Sequence, residues 1–226
     1  MSASRPVVAF DLDGTLIRGD CVGRLLARLI KRSWWRRLLA LPLLPLLPLM
    51  RWSTPATRIS RLFLWVASVG RRSDQWRFDE RQHVAMMLQD RPRWVIAPAL
   101  QRMQMHLQRG DRVIVITGAF ESLARLIVLE VLQLDSVEVL GSRGRWRHAA
   151  LHMDVHCFAR HKLHRLTAAG VSLPLEAAYS DSLHDLPLLA ASRQPVLVGG
   201  SSTLAASVRR RLPQLQWINR TDTPAR

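Results

Sequence analysis

Val7 to Phe10, four apolar residues, run without a break into two aspartates one residue apart in the stretch VVAFDLDGTLIRGD, residues 7–20. A strand with no polar alternation is buried on both faces, the place of a central strand in a parallel sheet covered by helices on either side. Open α/β sheets bind ligands at the carboxyl ends of such strands. Asp and Gly are also ordinary turn formers, so DLDGT by itself is compatible with a plain strand-to-loop turn. At the end of a central strand, however, two carboxyl groups can share a divalent cation and leave an oxygen free to attack. Asp11 is therefore a candidate nucleophile and Asp13 a candidate general acid and base.

The remaining pattern fits one α/β unit with an insertion. CVGRLLARLIKRSWWRRLLAL (residues 21–41) reads as a helix, followed by a proline-punctuated stretch and a Trp- and Arg-rich helical region to about Arg93. PALQRMQMHLQRG opens on Pro98 and stops at Gly110, the asymmetry expected of a helix. RVIVITG is a second buried strand, leading into an apolar helix over residues 121–134. SVEVLGSR and RWRHAALHMDVHCF alternate like strands, ARHKLHRLTAAG reads as a helix, and LEAAYSD, PVLVG and LQWIN as three more strands. Strands and helices repeating at this spacing predict a doubly wound, parallel, Rossmann-like sheet. Residues 1–19 and 97–226 form the expected catalytic domain, residues 20–96 a helical cap inserted after the first strand, and the chain closes on a short polar tail after Asn219.

The formal charge is +16, and the excess is concentrated: residues 18–109 carry 18 basic and 5 acidic side chains. Such a balance points to an anionic partner, whether a phosphate-bearing substrate, nucleic acid or acidic lipid. Cys21 and Cys157 have no metal-site or disulfide-framework spacing, and MSASRPVVAFDLDGT leaves no room for a signal peptide ahead of the first strand, so a reducing, cytoplasmic setting is expected.

Leu38 to Met50 is a run of 13 residues without a charge, LLALPLLPLLPLM, flanked by Arg36, Arg37 and Arg51. A spanning helix needs about 20 apolar residues, and prolines at 42, 45 and 48 remove backbone donors every third residue. The run is thus expected either to dock in the membrane interface or to form a kinked connector. Trp34, Trp35 and Trp52 at its edges, beside arginines, favour the interface, with Arg32, Arg36, Arg37 and Arg51 drawing it to acidic lipid. Nucleic acid, which the arginines and interleaved tryptophans would otherwise suit, has no use for the uncharged run and is not expected as a partner.

Three further pieces accompany the first pair of aspartates. VIVIT closes on Thr117 and Gly118, where a hydroxyl and a helix start would hold a phosphate oxygen. Lys162 is one of only two lysines against 31 arginines; a compact ammonium suits a crowded carboxylate and phosphate site better than a guanidinium fork. AAYSDSLHDLPLL places Asp181 at a strand end and Asp185 four residues on, a pair that reads as a magnesium site.

With DLDGT, VITG, Lys162 and SDSLHD in that order, the chain resembles the haloacid dehalogenase superfamily of aspartyl phosphatases, and its insertion resembles the cap of the phosphoserine-phosphatase-like branch. Within that branch, FDLDGTLIRGD, the LPLLPLLPL run and YSDSLHDLPLL are similar to the bacterial phosphatidylglycerophosphatase C family, membrane enzymes acting on a phospholipid monoester. The resemblance implies a phosphorylated Asp11, with Asp13 as acid and base and Lys162 in the catalytic set. It implies Thr117, Gly118 and Asp20 on the substrate side, and Mg²⁺ among Asp11, the Asp13 carbonyl and Asp181. Asp185 would orient either the metal shell or Lys162. Asp20 stands where phosphoserine phosphatases carry Glu, which weakens an amino-acid substrate.

The expected function is a Mg²⁺-dependent phospholipid phosphomonoesterase on the cytoplasmic face of a bacterial inner membrane, an anionic surface. A soluble phosphatase for a small metabolite and a non-enzymatic anion-binding protein are the alternatives. Histidines 148, 152, 156, 161 and 164 are not expected to bind metal, since i and i+4 on a strand lie about 13 Å apart.

Overall fold

The computed structural model describes residues 5–51 and 53–221. Seven strands form one sheet in the order β4-β3-β2-β1-β5-β6-β7. They are β1 (Val7–Phe10), β2 (Arg112–Phe120), β3 (Glu138–Arg147), β4 (Ala150–Val155), β5 (Leu175–Ser180), β6 (Ser192–Val198) and β7 (Gln216–Ile218). All pairings are parallel except β3 with β4. The α/β, doubly wound reading of the sequence is what the chain adopts, with one antiparallel edge strand added.

Alternate residues of each central strand enter opposite cores. Val8 and Phe10 of β1, Val113 and Val115 of β2, and Ala177 and Tyr179 of β5 pack on one face. Ala9, Ile114, Ile116 and Ala178 pack on the other. This two-sided burial explains why these strands carry no polar alternation. β1 lies between β2 and β5, so the chain turns to opposite sides of β1, and the crevice at its carboxyl end is where a ligand fits such a sheet.

Between β1 and β2 the chain is helical, with helices at Cys21–Lys31, Trp34–Ala40, Ser53–Ser68, Ser73–Gln89 and Ala97–Gln108 among its elements. The two ends of the insertion are tied by an antiparallel bridge between Ile17 and Val95, with Arg18 N–H donating to Trp94 O (2.7 Å) and Ile96 N–H to Leu16 O (2.9 Å). Its apolar faces, including Leu25, Leu29, Trp76, Val84 and Met87, belong to the same core as Val8 and Phe10. The insertion is thus bound to the sheet by a shared interior.

The structure departs from the sequence reading at several places. The helix expected over residues 21–41 is two helices, broken where Ser33 is extended (φ −128°, ψ 121°). The strand expected across residues 145–158 is a hairpin whose turn is His148 and Ala149, both at positive φ (48° and 55°), the geometry of a tight hairpin turn usually built with Asn or Gly. The apolar helix expected to Leu134 is α-helical over Glu121–Leu126 and then a π-turn over Ile127–Val131.

The proline run adopts a 3₁₀ helix, Leu41–Arg51. Three residues per turn match prolines spaced by three, so the side chains fall in eclipsed rows. Leu43 and Leu46 face inward and are half-buried, while Leu41, Leu44 and Leu47 form an exposed row continuing from Leu38 and Trp34. Among the described residues no helix is long and apolar enough to cross a membrane. Of the flanking groups expected to face lipid, Arg36 is buried: it donates to Val69 O (2.8 Å) and lies over the Trp35 ring. Arg32 donates to Gln82 Oε1 (3.0 Å), and Arg37 is exposed. Trp52 and the Arg51 side chain lie outside the described residues.

Candidate active site

Asp11, Asp13, Thr117, Lys162, Asp181 and Asp185 line one pocket of about 490 Å³ at the carboxyl ends of β1, β2 and β5. Asp11 follows β1 directly, and its backbone N–H continues the ladder to Tyr179 O (2.9 Å), so the strand pairing itself aims the carboxylate.

Lys162, on the helix His161–Ala168, organises the centre. Its buried ammonium donates to Asp11 Oδ1 at 2.6 Å and to Asp185 Oδ2 at 2.5 Å. The same Asp185 oxygen accepts from Ser180 Oγ (2.8 Å), which fixes Asp185 and through it Lys162. Burial pushes the Asp11 carboxyl up, against the pull of the Lys162 charge. Burial also opposes the Lys162 charge, but Asp11 and Asp185 outweigh it and hold the amine above its usual range. A point charge serving two buried carboxylates leaves little space for a guanidinium.

Asp13 points the other way, its Oδ1 accepting from Cys21 N–H (2.9 Å) at the start of the first insertion helix. Burial, and then the Asp20 charge, push it up to about 7. A carboxyl poised there can give a proton and take one back near neutral pH. Asp20 caps the same helix by accepting from Gly23 N–H (2.9 Å), and it also lines the pocket.

Thr117 is fully buried, and its Oγ1 accepts from Ala119 N–H (3.0 Å). Here the local expectation fails in part: β2 continues through a register shift to Phe120, and the helix begins only at Glu121. Thr117 and Gly118 thus present a hydroxyl and strand backbone to the pocket, not a helix start.

Asp181 lies against the loop after β1. A Cβ on Gly14, whose φ is +77°, would come within 2.0 Å of Asp181 Oδ2, so only glycine admits the carboxylate here. Burial raises the Asp181 carboxyl, opposed by Arg220. Arg220 was not legible as a site residue. It follows β7 in what reads as a polar tail, yet its guanidinium donates to Asp181 Oδ2 (2.9 Å) and Gly14 O (2.7 Å). Its shaft crosses Gly199, where a Cβ would meet Arg220 Nε at 2.4 Å. No motif in the sequence marks it.

The donor set suits a small hard cation, though not as four carboxylates. Asp13 is turned to Cys21 and Asp185 is held by Lys162 and Ser180, and among the described residues no three His, Cys, Asp or Glu side chains converge as metal ligands. What remains is Asp11 and Asp181, whose charge adds to the upward push on Asp11, carboxylate oxygens of the kind that Mg²⁺ uses with waters and phosphate.

Residues 8–190 match the family of haloacid dehalogenase-like hydrolases. The chain belongs to that family. Solved structures of similar fold include a protein of unknown function from Bordetella pertussis Tohama I (TM-score 0.72, 19% identity, 96% of this chain and 100% of that one). A substrate-bound phosphoserine phosphatase aligns at TM-score 0.56 and 14% identity over 95% of this chain and 100% of its own. A phosphoserine phosphohydrolase-like protein from Francisella tularensis subsp. tularensis SCHU S4 aligns at 0.60 and 11% over 85% and 87%. At these identities the likeness is one of fold, and it spans both the sheet and the insertion of this haloacid dehalogenase-like hydrolase.

Proposed function

We propose that this hydrolase is a Mg²⁺-dependent phosphomonoesterase that forms a phosphorylated Asp11, and that its substrate is a phospholipid monoester of the phosphatidylglycerophosphate type, met at an anionic membrane surface. The observation that carries the chemistry is Asp11 itself, a buried carboxylate aimed by the β1 ladder into the pocket and gripped at Oδ1 by Lys162. An Asp11 oxygen attacks phosphorus and the bond to the leaving alcohol oxygen breaks, with Asp13 giving that oxygen a proton. Asp13 then takes a proton from water as the water attacks the acyl phosphate, releasing inorganic phosphate and restoring Asp11. Lys162 and Thr117 face the phosphoryl oxygens. Mg²⁺, held by Asp11, the Asp13 carbonyl and Asp181, would supply charge neutralisation at the phosphoryl group.

The membrane part of the reading rests on the exposed apolar row from Trp34 through Leu47, with Arg37 exposed beside it. On this reading residues 20–96 are a cap that carries the docking edge, residues 1–19 and 97–226 are the catalytic body, and the protein works at the cytoplasmic face of a bacterial inner membrane. The test is phosphate release by purified protein in detergent micelles from phosphatidylglycerophosphate, phosphatidic acid, lysophosphatidic acid and phosphoserine, with and without a chelator. Preference for phosphatidylglycerophosphate, lost with the chelator, is the expected result. Preference for phosphoserine would return a soluble metabolite phosphatase.

A further inference from the structure

Beside the catalytic pocket lies a second, larger hollow of about 920 Å³, and the two share Thr57, His156 and Phe158 in their walls. Phe158 forms the partition: its ring is stacked with His156 (5.6 Å between centroids) and tilted against His184 (5.2 Å), a residue of the catalytic pocket. The two spaces therefore adjoin at one aromatic rim.

The second hollow is basic by construction. The helix Ser53–Ser68 contributes Arg58 and Arg61, the Lys162 helix contributes His161, His164 and Arg165, and Arg160 precedes that helix. The one carboxylate among its described lining residues, Asp154, is already taken by Arg145 (3.0 Å). Arg165 gives one nitrogen to Glu121 (3.2 Å), while its Nε is buried without a partner. Arg58, Arg61 and Arg160 have no carboxylate partner among the described residues. The field is felt locally: burial, and then Arg61 and His161, lower the His156 pKa.

One helix serves both spaces. Lys162 faces Asp11 from its buried side, and its neighbours His161, His164 and Arg165 line the basic hollow. Because the two spaces share Thr57, His156 and Phe158, two groups on one small headgroup joined by a few bonds can occupy both. Guanidinium forks match phosphate oxygens in pairs, which favours a phosphate-class anion over a carboxylate-bearing chain.

We propose that this hollow is a subsite for a second phosphate group on the same substrate, so that the enzyme selects phosphomonoesters carrying a phosphodiester a few bonds from the scissile phosphate. The inference rests on the phosphomonoesterase reading of the Asp11 pocket and adds to it the feature by which the substrate is chosen. Arg58, Arg61 and Arg160 are specificity residues that touch the distal phosphate and leave the reacting atoms alone.

The test compares three soluble substrates, glycerophosphoglycerol phosphate, glycerol 3-phosphate and an aryl phosphate, with phosphatidylglycerophosphate in vesicles as a fourth. Wild-type protein is set against Arg58→Ala/Arg61→Ala and Arg160→Ala, all exposed positions. Wild type should prefer glycerophosphoglycerol phosphate to glycerol 3-phosphate, and the double variant should raise its KM about tenfold, the scale of two exposed charge contacts. The aryl phosphate should be hydrolysed as before. Equal kcat/KM for the two glycerol esters in wild type, or a parallel loss on every substrate, overturns the subsite. An effect confined to vesicles also overturns it, since the arginines would then read the membrane surface and not the headgroup. Were no phosphomonoester hydrolysed, the phosphatase reading would fall separately. Calorimetric titration of the Asp11→Asn protein with glycerophosphoglycerol phosphate and glycerol 3-phosphate would still decide the subsite, tighter binding of the former supporting it and equal binding overturning it.

Discussion

Replacing Leu38, Leu41, Leu44 and Leu47 together by serine tests the proposed membrane-docking edge. These side chains are 60, 60, 47 and 43% exposed, so roughly half of each remains to be removed from water on docking. Full burial of a leucine is worth about 2 kcal/mol, which leaves ~1 kcal/mol each and ~4 kcal/mol for the row. At 1.4 kcal/mol per decade that is about a thousandfold in partition onto a bilayer. Sedimentation with vesicles rich in anionic phospholipid should show this loss, and turnover of lipid substrate in the same vesicles should fall with it. The melting temperature should move by only a few degrees, because exposed positions contribute little to folding, and aryl phosphate hydrolysis should persist. Unchanged vesicle binding would refute the docking edge. A collapse of both melting temperature and aryl phosphate activity would show that the row is internal packing.

Three further predictions follow from buried charge. Lys162→Arg should lose nearly as much activity as Lys162→Ala, by steady-state kinetics, because the ammonium sits within 2.6 Å of two carboxylates and a fork cannot; near-wild-type turnover in the arginine variant would reduce Lys162 to a general positive charge. Arg220→Gln frees Asp181 and should weaken Mg²⁺ binding about tenfold, the usual cost of removing a partner that orients a metal ligand, read by calorimetry as well as by the Mg²⁺ dependence of activity. Burial, then Arg28 and Arg24, lower His83 from 6.5 to about 4, so the folded state resists protonation while the unfolded chain accepts it. Stability present above pH 6.5 is therefore lost as pH falls toward 4, by ~2 kcal/mol after allowing for residual screening, and denaturant titrations of His83→Gln should flatten over that window.

The central strands and the order of the catalytic elements were legible because burial on both faces leaves a continuous apolar signature, as in Val7–Phe10 and Val113–Ile116. Asp11 and Asp181 were legible for a related reason, since charged groups at the ends of such strands have few structural uses, and Lys162 stood out as one of two lysines against 31 arginines. The hairpin turn at His148 and Ala149 was hidden because its positive φ values fall on residues that seldom adopt them. The break at Ser33 was hidden because the apolar pattern continues past it in both helices. Arg36 reads as one of several surface arginines, and only the fold shows it turned inward to Val69 O. Arg220 is a long-range contact, 39 residues from Asp181 and 206 from Gly14, set by where β7 ends. Local sequence carries no record of such a meeting.

Phosphoryl transfer to Asp11 underlies the proposed reaction. Rapid acid quenching of the enzyme during turnover of a phosphorus-labelled substrate, followed by peptide mapping, tests it directly. Label should appear on the peptide containing Asp11, acid-stable and released by hydroxylamine, with both label and turnover absent from Asp11→Asn. Label on another residue, or substantial turnover by Asp11→Asn, would contradict it.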